Sequence, residues 1–329
     1  MFGGADRQVI REQWLKEQFN GDYSITPLAG DASFRCYFRV SHADNNYVLM
    51  DAPPPHEDVT PFLAVRDWFE AAGLNVSDCY AKDIHQGFLL LEDFGNVLWS
   101  TCKEEGGDLA PLFEDALRQL HLLQASAPPM ALPLFDVERM TRECALYLDW
   151  YLPHVAGFEP SESERIEFHQ SLSAVLTRLE SLPRVPVHLD YHSRNLMLQG
   201  GKPPLGIIDY QDAVLGPVTY DLASLLYDCY QDYPETERLM WSRRFYEALP
   251  EEHAVAFAGF SDWHKALRLT ALQRHIKAIG IFGRLAYRDG KLQFLDEIPL
   301  TRKHLQGEMQ VLGMCEDAFP LLYVKAKSG

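Results

Sequence analysis

The dominant apolar period of this chain shifts near residue 95, from mainly strand-like to mostly helical, and that shift limits the folds open to it. An opening stretch, 8–19, carries Ile10, Trp14, Leu15 and Phe19 near helical spacing. After it, SITPLAGDASFRCYFRV and NNYVLMDAP alternate apolar and polar residues around turn-forming residues at Gly30-Asp31 and at 43–46. Alternation at period two predicts half-buried strands, here antiparallel. Pro53-Pro54-Pro55 ends the second strand. A helix is expected over 62–72, closed by Gly73, and GFLLLEDFG reads as a short buried strand that breaks at 93–95.

Beyond that point the spacing is mostly helical. Asp108 and Ser161 stand as N-caps of helices through 124 and 182, and further helices fit 220–230, 235–248, 261–285 and 294–312. Two short runs rich in β-branched residues, VPVHLDY and LGIIDY, interrupt them. The expected class is α+β and bilobal, with a small antiparallel-sheet N-lobe at 1–95 and a larger, mostly helical C-lobe at 96–329. A plan of that kind places a ligand cleft between its lobes.

Charge narrows the partners. The 329 residues carry 30 basic and 47 acidic side chains, a formal net charge of −17. Such a field repels phosphodiester backbones and anionic bilayers, so neither nucleic acid nor membrane is an expected partner. No stretch approaches the roughly 18 apolar residues that cross a bilayer, and the opening residues hold no signal-like apolar core. The six cysteines are scattered without a C-x-x-C pair. Reduced thiols and a cytoplasmic location are expected. Nothing in the pattern specifies an oligomeric state.

The chemistry concentrates in His188-Leu189-Asp190-Tyr191-His192-Ser193-Arg194-Asn195, followed by Ile207-Ile208-Asp209-Tyr210. Phosphoryl transfer needs a carboxylate to orient the attacking hydroxyl and accept its proton, and oxygen ligands to hold magnesium against nucleotide phosphates. Asp190, after one short strand, and Asp209, after the next, can converge on one ion. Asn195 adds a neutral amide oxygen. Taken singly, H-x-D and I-I-D-Y are ordinary turn and strand ends; together, between two strands in a helical lobe, they read as a catalytic set.

These residues resemble the aminoglycoside phosphotransferase and choline kinase group, which shares the protein-kinase-like fold. His188, Asp190 and Asn195 fit its H-x-D-x-x-x-x-N loop, and Asp209 its second metal-binding position. Gly216-Pro217-Val218-Thr219-Tyr220-Asp221-Leu222-Ala223 fits a further family segment. The resemblance implies ATP and Mg2+, Asp190 as catalytic base, Asn195 and Asp209 on the metal, and His188 and Asp221 supporting the catalytic loop. It also implies nucleotide contacts at Ala32, Ser33 and Arg35 and at a hinge around Glu92 and Phe94. One departure is Met50, which stands where the family usually has a phosphate-gripping Lys. Magnesium, Arg35 or Arg39 would then neutralise the phosphates.

A narrower resemblance rests on LAGDASFRCYFRV, YVLMDAPP, LLEDFG and QRHIKAIGIFGRL. Together these are similar to the bacterial anomeric kinases that phosphorylate N-acetylmuramate and N-acetylglucosamine at C1 during peptidoglycan recycling. The implied substrate is a small sugar. The lactyl carboxylate of N-acetylmuramate needs a cationic partner, and Arg274, His275 and Lys277 are the candidates, with a solvated basic helix face as the plain alternative. Trp150, Tyr151, Trp241 and Trp263 could stack on a sugar or pack the core. Three other readings stay open: an aminoglycoside kinase, a choline or homoserine kinase, and a nucleotide-binding pseudokinase without turnover.

Overall fold

The computed structural model describes residues 4–28 and 34–325, so Gly30, Asp31, Ala32 and Ser33 lie outside the described residues. The chain divides into two compact units: residues up to Val97 together with Met197–Gln211, and Leu98–Leu196 together with Asp212 onward. The second segment of the first unit is a stretch that sequence alone groups with the helical residues.

The first unit begins with α1 (Gly4–Gln18) and builds one antiparallel sheet from β1 (Tyr23–Pro27), β2 (Cys36–His42), β3 (Asn45–Asp51), β4 (Cys79–Asp83) and β5 (Phe88–Glu92). Their order is β1-β2-β3-β5-β4, with Tyr37 opposite Met50 and Met50 opposite Leu89. Side chains alternate across a strand, so one face collects Val40, Leu49, Phe88 and Leu90. Trp14 and Leu15 of α1, with Phe19 just beyond its end, cover that face. Asp51, on the same side as Leu49, is 3% exposed and receives Arg7 Nη2 at 2.6 Å and Arg11 Nη1 at 3.3 Å. Met50, 1% exposed, therefore points to the opposite face. α2 (Thr60–Ala71) buries Phe62, Leu63, Val65, Trp68 and Phe69.

The second unit contains α3 (Trp99–Glu104), α4 (Ala110–Ala125), α5 (Val137–Leu146), α6 (Glu162–Glu180) and β6 (Arg184–Val187). The short strands β7 (Leu196–Leu198) and β8 (Leu205–Ile207), which fall almost entirely in the Met197–Gln211 segment of the first unit, pair with each other, and β9 (Val214–Pro217) of the second unit pairs antiparallel with β6. Then come α7 (Tyr220–Leu226), α8 (Glu235–Glu247), α9 (Glu251–Ala254), α10 (Phe260–Tyr287), α11 (Ile298–Leu312) and α12 (Pro320–Tyr323).

Ser161 closes α6 with a full capping box, its side chain and Glu164 exchanging bonds with each other's backbone. The helix expected over 294–312 arrives in two pieces. A 3-10 turn, Leu292–Glu297, precedes α11, whose first turn holds a proline, a residue that suits a helix start and breaks a helix interior. A π-helical segment, Tyr147–Ala156, with Pro153 inside it, continues α5 and carries no signal in the apolar spacing.

α10 is the post of this unit, buried along most of its length. A Cβ built on Gly280 would lie 2.4 Å from Leu146 C and 2.5 Å from Tyr147 N, so α10 meets the end of α5 backbone to backbone. No helix among the described residues is long and apolar enough to cross a membrane. The six cysteines are free thiols.

Candidate active site

Strand β6, locked by β9, delivers the chain to a tight loop. His188 and Leu189 follow the strand, and Leu189 adopts φ 85, a left-handed conformation unfavourable for a branched side chain. Asp221, in the first turn of α7 and 0% exposed, holds it there. One carboxylate oxygen accepts the His188 N–H at 2.7 Å and the other accepts the Leu189 N–H at 3.1 Å. His188 Nδ1 accepts the Asp190 N–H at 3.2 Å, and the buried ring thereby fixes the next residue.

The second half of the loop is held as firmly. The Asp190 carbonyl accepts the His192 N–H at 3.1 Å and Asn195 Nδ2 at 3.0 Å. With its nitrogen committed, the Asn195 amide has Oδ1 as its open end. Asp228, also 0% exposed, accepts the Ser193 N–H at 2.8 Å and the Tyr230 N–H at 2.7 Å. Two buried carboxylates thus clamp the two ends of one loop. Asp228 was missed in the sequence, where its one signal is a charge inside the apolar run LLYDCY. A buried charge of that kind is rare without a partner.

The carboxyl groups feel different fields. Burial pushes Asp221 up, the amide bonds from His188 and Leu189 pull it back, and it settles at about 7. Burial also acts upward on Asp190, but Lys277, His192, Arg274 and His188 outweigh it and hold the group below the ordinary carboxylate range. Asp190, partly exposed, is therefore ionised at neutral pH, the state a proton acceptor requires.

Two of those cations come from α10, where Arg274 and Lys277 share a face at i, i+3 spacing. Lys277 Nζ lies 3.3 Å from Glu143 Oε1. Glu143, on α5, also receives Arg139 Nε at 3.2 Å and Gln273 Nε2 at 3.4 Å. Burial acts to lower the Lys277 pKa, but Tyr220, Glu143 and Asp190 outweigh it and hold the group above its ordinary value. Arg274 is 7% exposed, and its Nε and Nη1 have no partner. His275 is 0% exposed and donates from Nε2 to the Tyr227 carbonyl at 2.8 Å, with its ring against His304. It ties α10 to the end of α7, and burial keeps it neutral. Tyr151, Trp241 and Trp263 lie in the core, and Trp150 stacks on His154.

In the first unit, Asp209 has φ 63, a strained value for a residue other than glycine, of order 1–3 kcal/mol. The Tyr210 ring, 1% exposed, lies against Phe62 at 4.9 Å and Phe69 at 5.5 Å, and Gln211 Nε2 donates to Asp209 Oδ1 at 2.8 Å. Packing on α2 and that bond maintain the conformation. Arg35 pairs with Glu57 at 3.0 Å. Arg39 grips Asp93 through Nε at 2.5 Å and Nη2 at 3.0 Å and reaches the Gly95 carbonyl at 3.1 Å. Both arginines expected near phosphates thus already hold carboxylates. Glu92 receives Gln199 Nε2 at 2.9 Å, and its N–H goes to the Asp78 carbonyl at 2.8 Å. Phe94 is 5% exposed, and a Cβ built on Gly206 would lie 2.5 Å from its ring.

A clamped turn ending in an ionised aspartate, with an Asn five residues on, is the loop of a phosphotransferase. The family model described as "Phosphotransferase enzyme family" matches residues 24–258, and the chain belongs to that family.

Among curated proteins, the chain is 38% identical to the N-acetylmuramate/N-acetylglucosamine kinase of Pseudomonas aeruginosa, over 86% of this chain and 82% of that one. It is 34% identical to the protein of the same name in Pseudomonas putida, over 87% of each, and 35% identical to that of Neisseria meningitidis, over 91% and 90%. Among solved structures, the choline kinase LicA of Streptococcus pneumoniae aligns with a TM-score of 0.63 at 15% identity, covering 91% of this chain and 99% of that one. Aminoglycoside phosphotransferase APH(4)-Ia, in ternary complex with AMP-PNP and hygromycin B, aligns with a TM-score of 0.57 at 15% identity, over 91% and 97%. These two share the fold.

Proposed function

We propose that the protein is an ATP- and magnesium-dependent kinase that phosphorylates the C1 hydroxyl of N-acetylmuramate, N-acetylglucosamine or both. The observation that carries the reaction is Asp190, kept ionised at the end of a loop clamped by Asp221 and Asp228. The relatives at 34–38% identity, named for these two sugars, support the substrate class. The AMP-PNP bound by the aminoglycoside phosphotransferase and the AMP bound by LicA support a nucleotide as co-substrate.

Asp190 orients the acceptor hydroxyl and takes its proton as the oxygen attacks the γ-phosphorus of ATP, with ADP as leaving group. An anomeric hydroxyl is more acidic than an ordinary alcohol, so orientation matters more than basicity. Asn195 Oδ1 and the Asp209 carboxylate are oxygen donors, the kind a hard divalent ion takes, and they fit magnesium. Bound there, the ion would neutralise charge on the nucleotide phosphates. The adenine edge is assigned to the backbone around Glu92 and Phe94, whose side chains are engaged elsewhere. Ala32, Ser33 and Arg35 are assigned to the phosphates, and Arg35 would exchange Glu57 for them.

Peptidoglycan recycling in the cytoplasm is the setting that suits this acceptor. An unpaired guanidinium near the base suits an anionic or neutral acceptor and opposes a cationic one such as choline or an aminoglycoside.

ATP turnover with magnesium, screened over N-acetylmuramate, N-acetylglucosamine, choline, homoserine and kanamycin with phosphorus NMR of the product, tests this. The expected product carries phosphate at C1 of an N-acetyl amino sugar. Turnover confined to another acceptor overturns the substrate, and no turnover on any acceptor overturns the enzyme.

A further inference from the structure

Arg274 and Lys277 share a face of α10, yet their surroundings differ. Lys277 is neutralised by Glu143 at 3.3 Å. Arg274 has no carboxylate partner among the described residues, and its Nε and Nη1 are sealed from water with nothing to bond. Its guanidinium lies 5.5 Å from the centroid of the Tyr220 ring, a residue whose own hydroxyl is buried and unpartnered. Burial opposes the Arg274 charge, but Tyr220, Cys229, Asp190 and Asp228 hold it protonated.

Unpaired buried donors on a charged group are costly, and a ligand that bonds them removes that cost. A carboxylate completes a guanidinium best, since its two coplanar oxygens match two parallel N–H bonds. Arg274 also acts on the Asp190 charge, so the subsite lies within electrostatic reach of the base.

We propose that Arg274, whose guanidinium lies over the Tyr220 ring, is a carboxylate subsite that reads the acidic side chain of the sugar. Glu143 sets the selectivity: by neutralising Lys277 it leaves the pocket one uncompensated cation instead of two, so a neutral sugar is still admitted. This assignment rests on the sugar-kinase reading above. It separates Arg274 from Lys277, which sequence alone leaves as equivalent candidates.

The test compares N-acetylmuramate, its neutral methyl ester and N-acetylglucosamine by calorimetric titration of the wild type, Arg274→Met, Arg274→Lys and Glu143→Gln, with turnover measured alongside. The wild type is expected to bind the acid about 10- to 100-fold more tightly than the ester, the range of a charge-assisted bidentate contact. Arg274→Met should bring that ratio close to unity. Arg274→Lys should restore only part of it, because an ammonium lacks the planar fork. Glu143→Gln should raise the ratio by freeing Lys277.

Equal binding of acid and ester by the wild type overturns the subsite without reference to any variant. An unchanged ratio in Arg274→Met overturns the role of Arg274, and an unchanged ratio in Glu143→Gln overturns that of Glu143. The expected ratios with no sugar turned over would uphold the subsite and overturn the kinase reading instead.

Discussion

Replacing Asp221 by Asn tests whether the catalytic loop is held by a buried carboxylate. In the wild type both oxygens are used, accepting the amides of His188 at 2.7 Å and Leu189 at 3.1 Å in a place with no exposure. Asn keeps the shape and one acceptor but sets an NH2 group against the second amide. The lost charge-assisted bond is worth about 1.5–3 kcal/mol, and the orphaned amide adds about 1–3 kcal/mol. Removing a buried carboxyl already raised to about 7 offsets part of this. A net loss of about 2–4 kcal/mol remains, below the cost of stranding a full buried charge. Leu189 at φ 85 then has less to hold it, and relaxation moves Asp190, one residue on. A misplacement of about 1 Å can cost about 100-fold in rate. Urea unfolding and steady-state kinetics of Asp221→Asn measure both effects, with kcat expected to fall at least about 100-fold and the KM for ATP to change little. Stability within about 0.5 kcal/mol of the wild type, the usual scatter of a neutral substitution, together with unchanged kcat would refute the brace. A large loss of stability with kcat intact would confine Asp221 to folding.

Asp190→Ala should lower kcat by about 100- to 10,000-fold, the usual contribution of a general base, with nucleotide binding by calorimetry retained; near-normal turnover removes Asp190 from that role. Asp209→Ala should abolish turnover at every magnesium concentration, and activity recovered at high magnesium would argue against direct ligation. His304, held neutral by burial beside Arg238 and bonded to the Gln231 carbonyl at 3.2 Å, has its pKa lowered from 6.5 to about 4. Between those values the unfolded chain binds the proton and the native one does not, so stability is full above 6.5 and falls as pH drops toward 4. The loss is about 3 kcal/mol, and urea unfolding between pH 7.5 and 4.5 should show His304→Gln with a flatter profile. Gly280→Ala sets a methyl 2.4 Å from Leu146 C; overpacking of about 3 kcal/mol exceeds the roughly 1 kcal/mol of helix propensity gained. The variant should lose about 2 kcal/mol in urea unfolding, the difference of those two terms, and a gain in stability would show that the helices part freely.

Much of the fold is legible because local spacing dictates it. Period-two alternation around turn residues produced the sheet of the first unit, and helical spacing with Ser161 as a cap produced α6. The breaks in expectation have local causes that act through neighbours. Tyr147–Ala156 becomes π-helical with Pro153 inside it, continuing α5 where α10 meets backbone at Leu146 and Tyr147. Motif spacing marked Asp190, Asn195 and Asp209 as one set, because reaction chemistry restricts which residue types can sit at those intervals, while His188 and Asp221 joined them only through the family resemblance.

Which charges are free is a different matter. Arg35, Arg39, Arg274 and Lys277 are all cations in the sequence, and nothing in their spacing ranks them. The fold spends Arg35 on Glu57, Arg39 on Asp93 and Lys277 on Glu143, and leaves Arg274 without a carboxylate partner among the described residues. Glu143 and Asp228 entered the site the same way, one from a helix over a hundred residues before Lys277 and the other beyond the end of α7. The sequence by itself determined most of the elements and singled out the candidate reacting residues, since period and motif are local properties. Only tertiary structure decided which buried charges are compensated, because compensation depends on distances of a few ångströms between residues far apart in the chain.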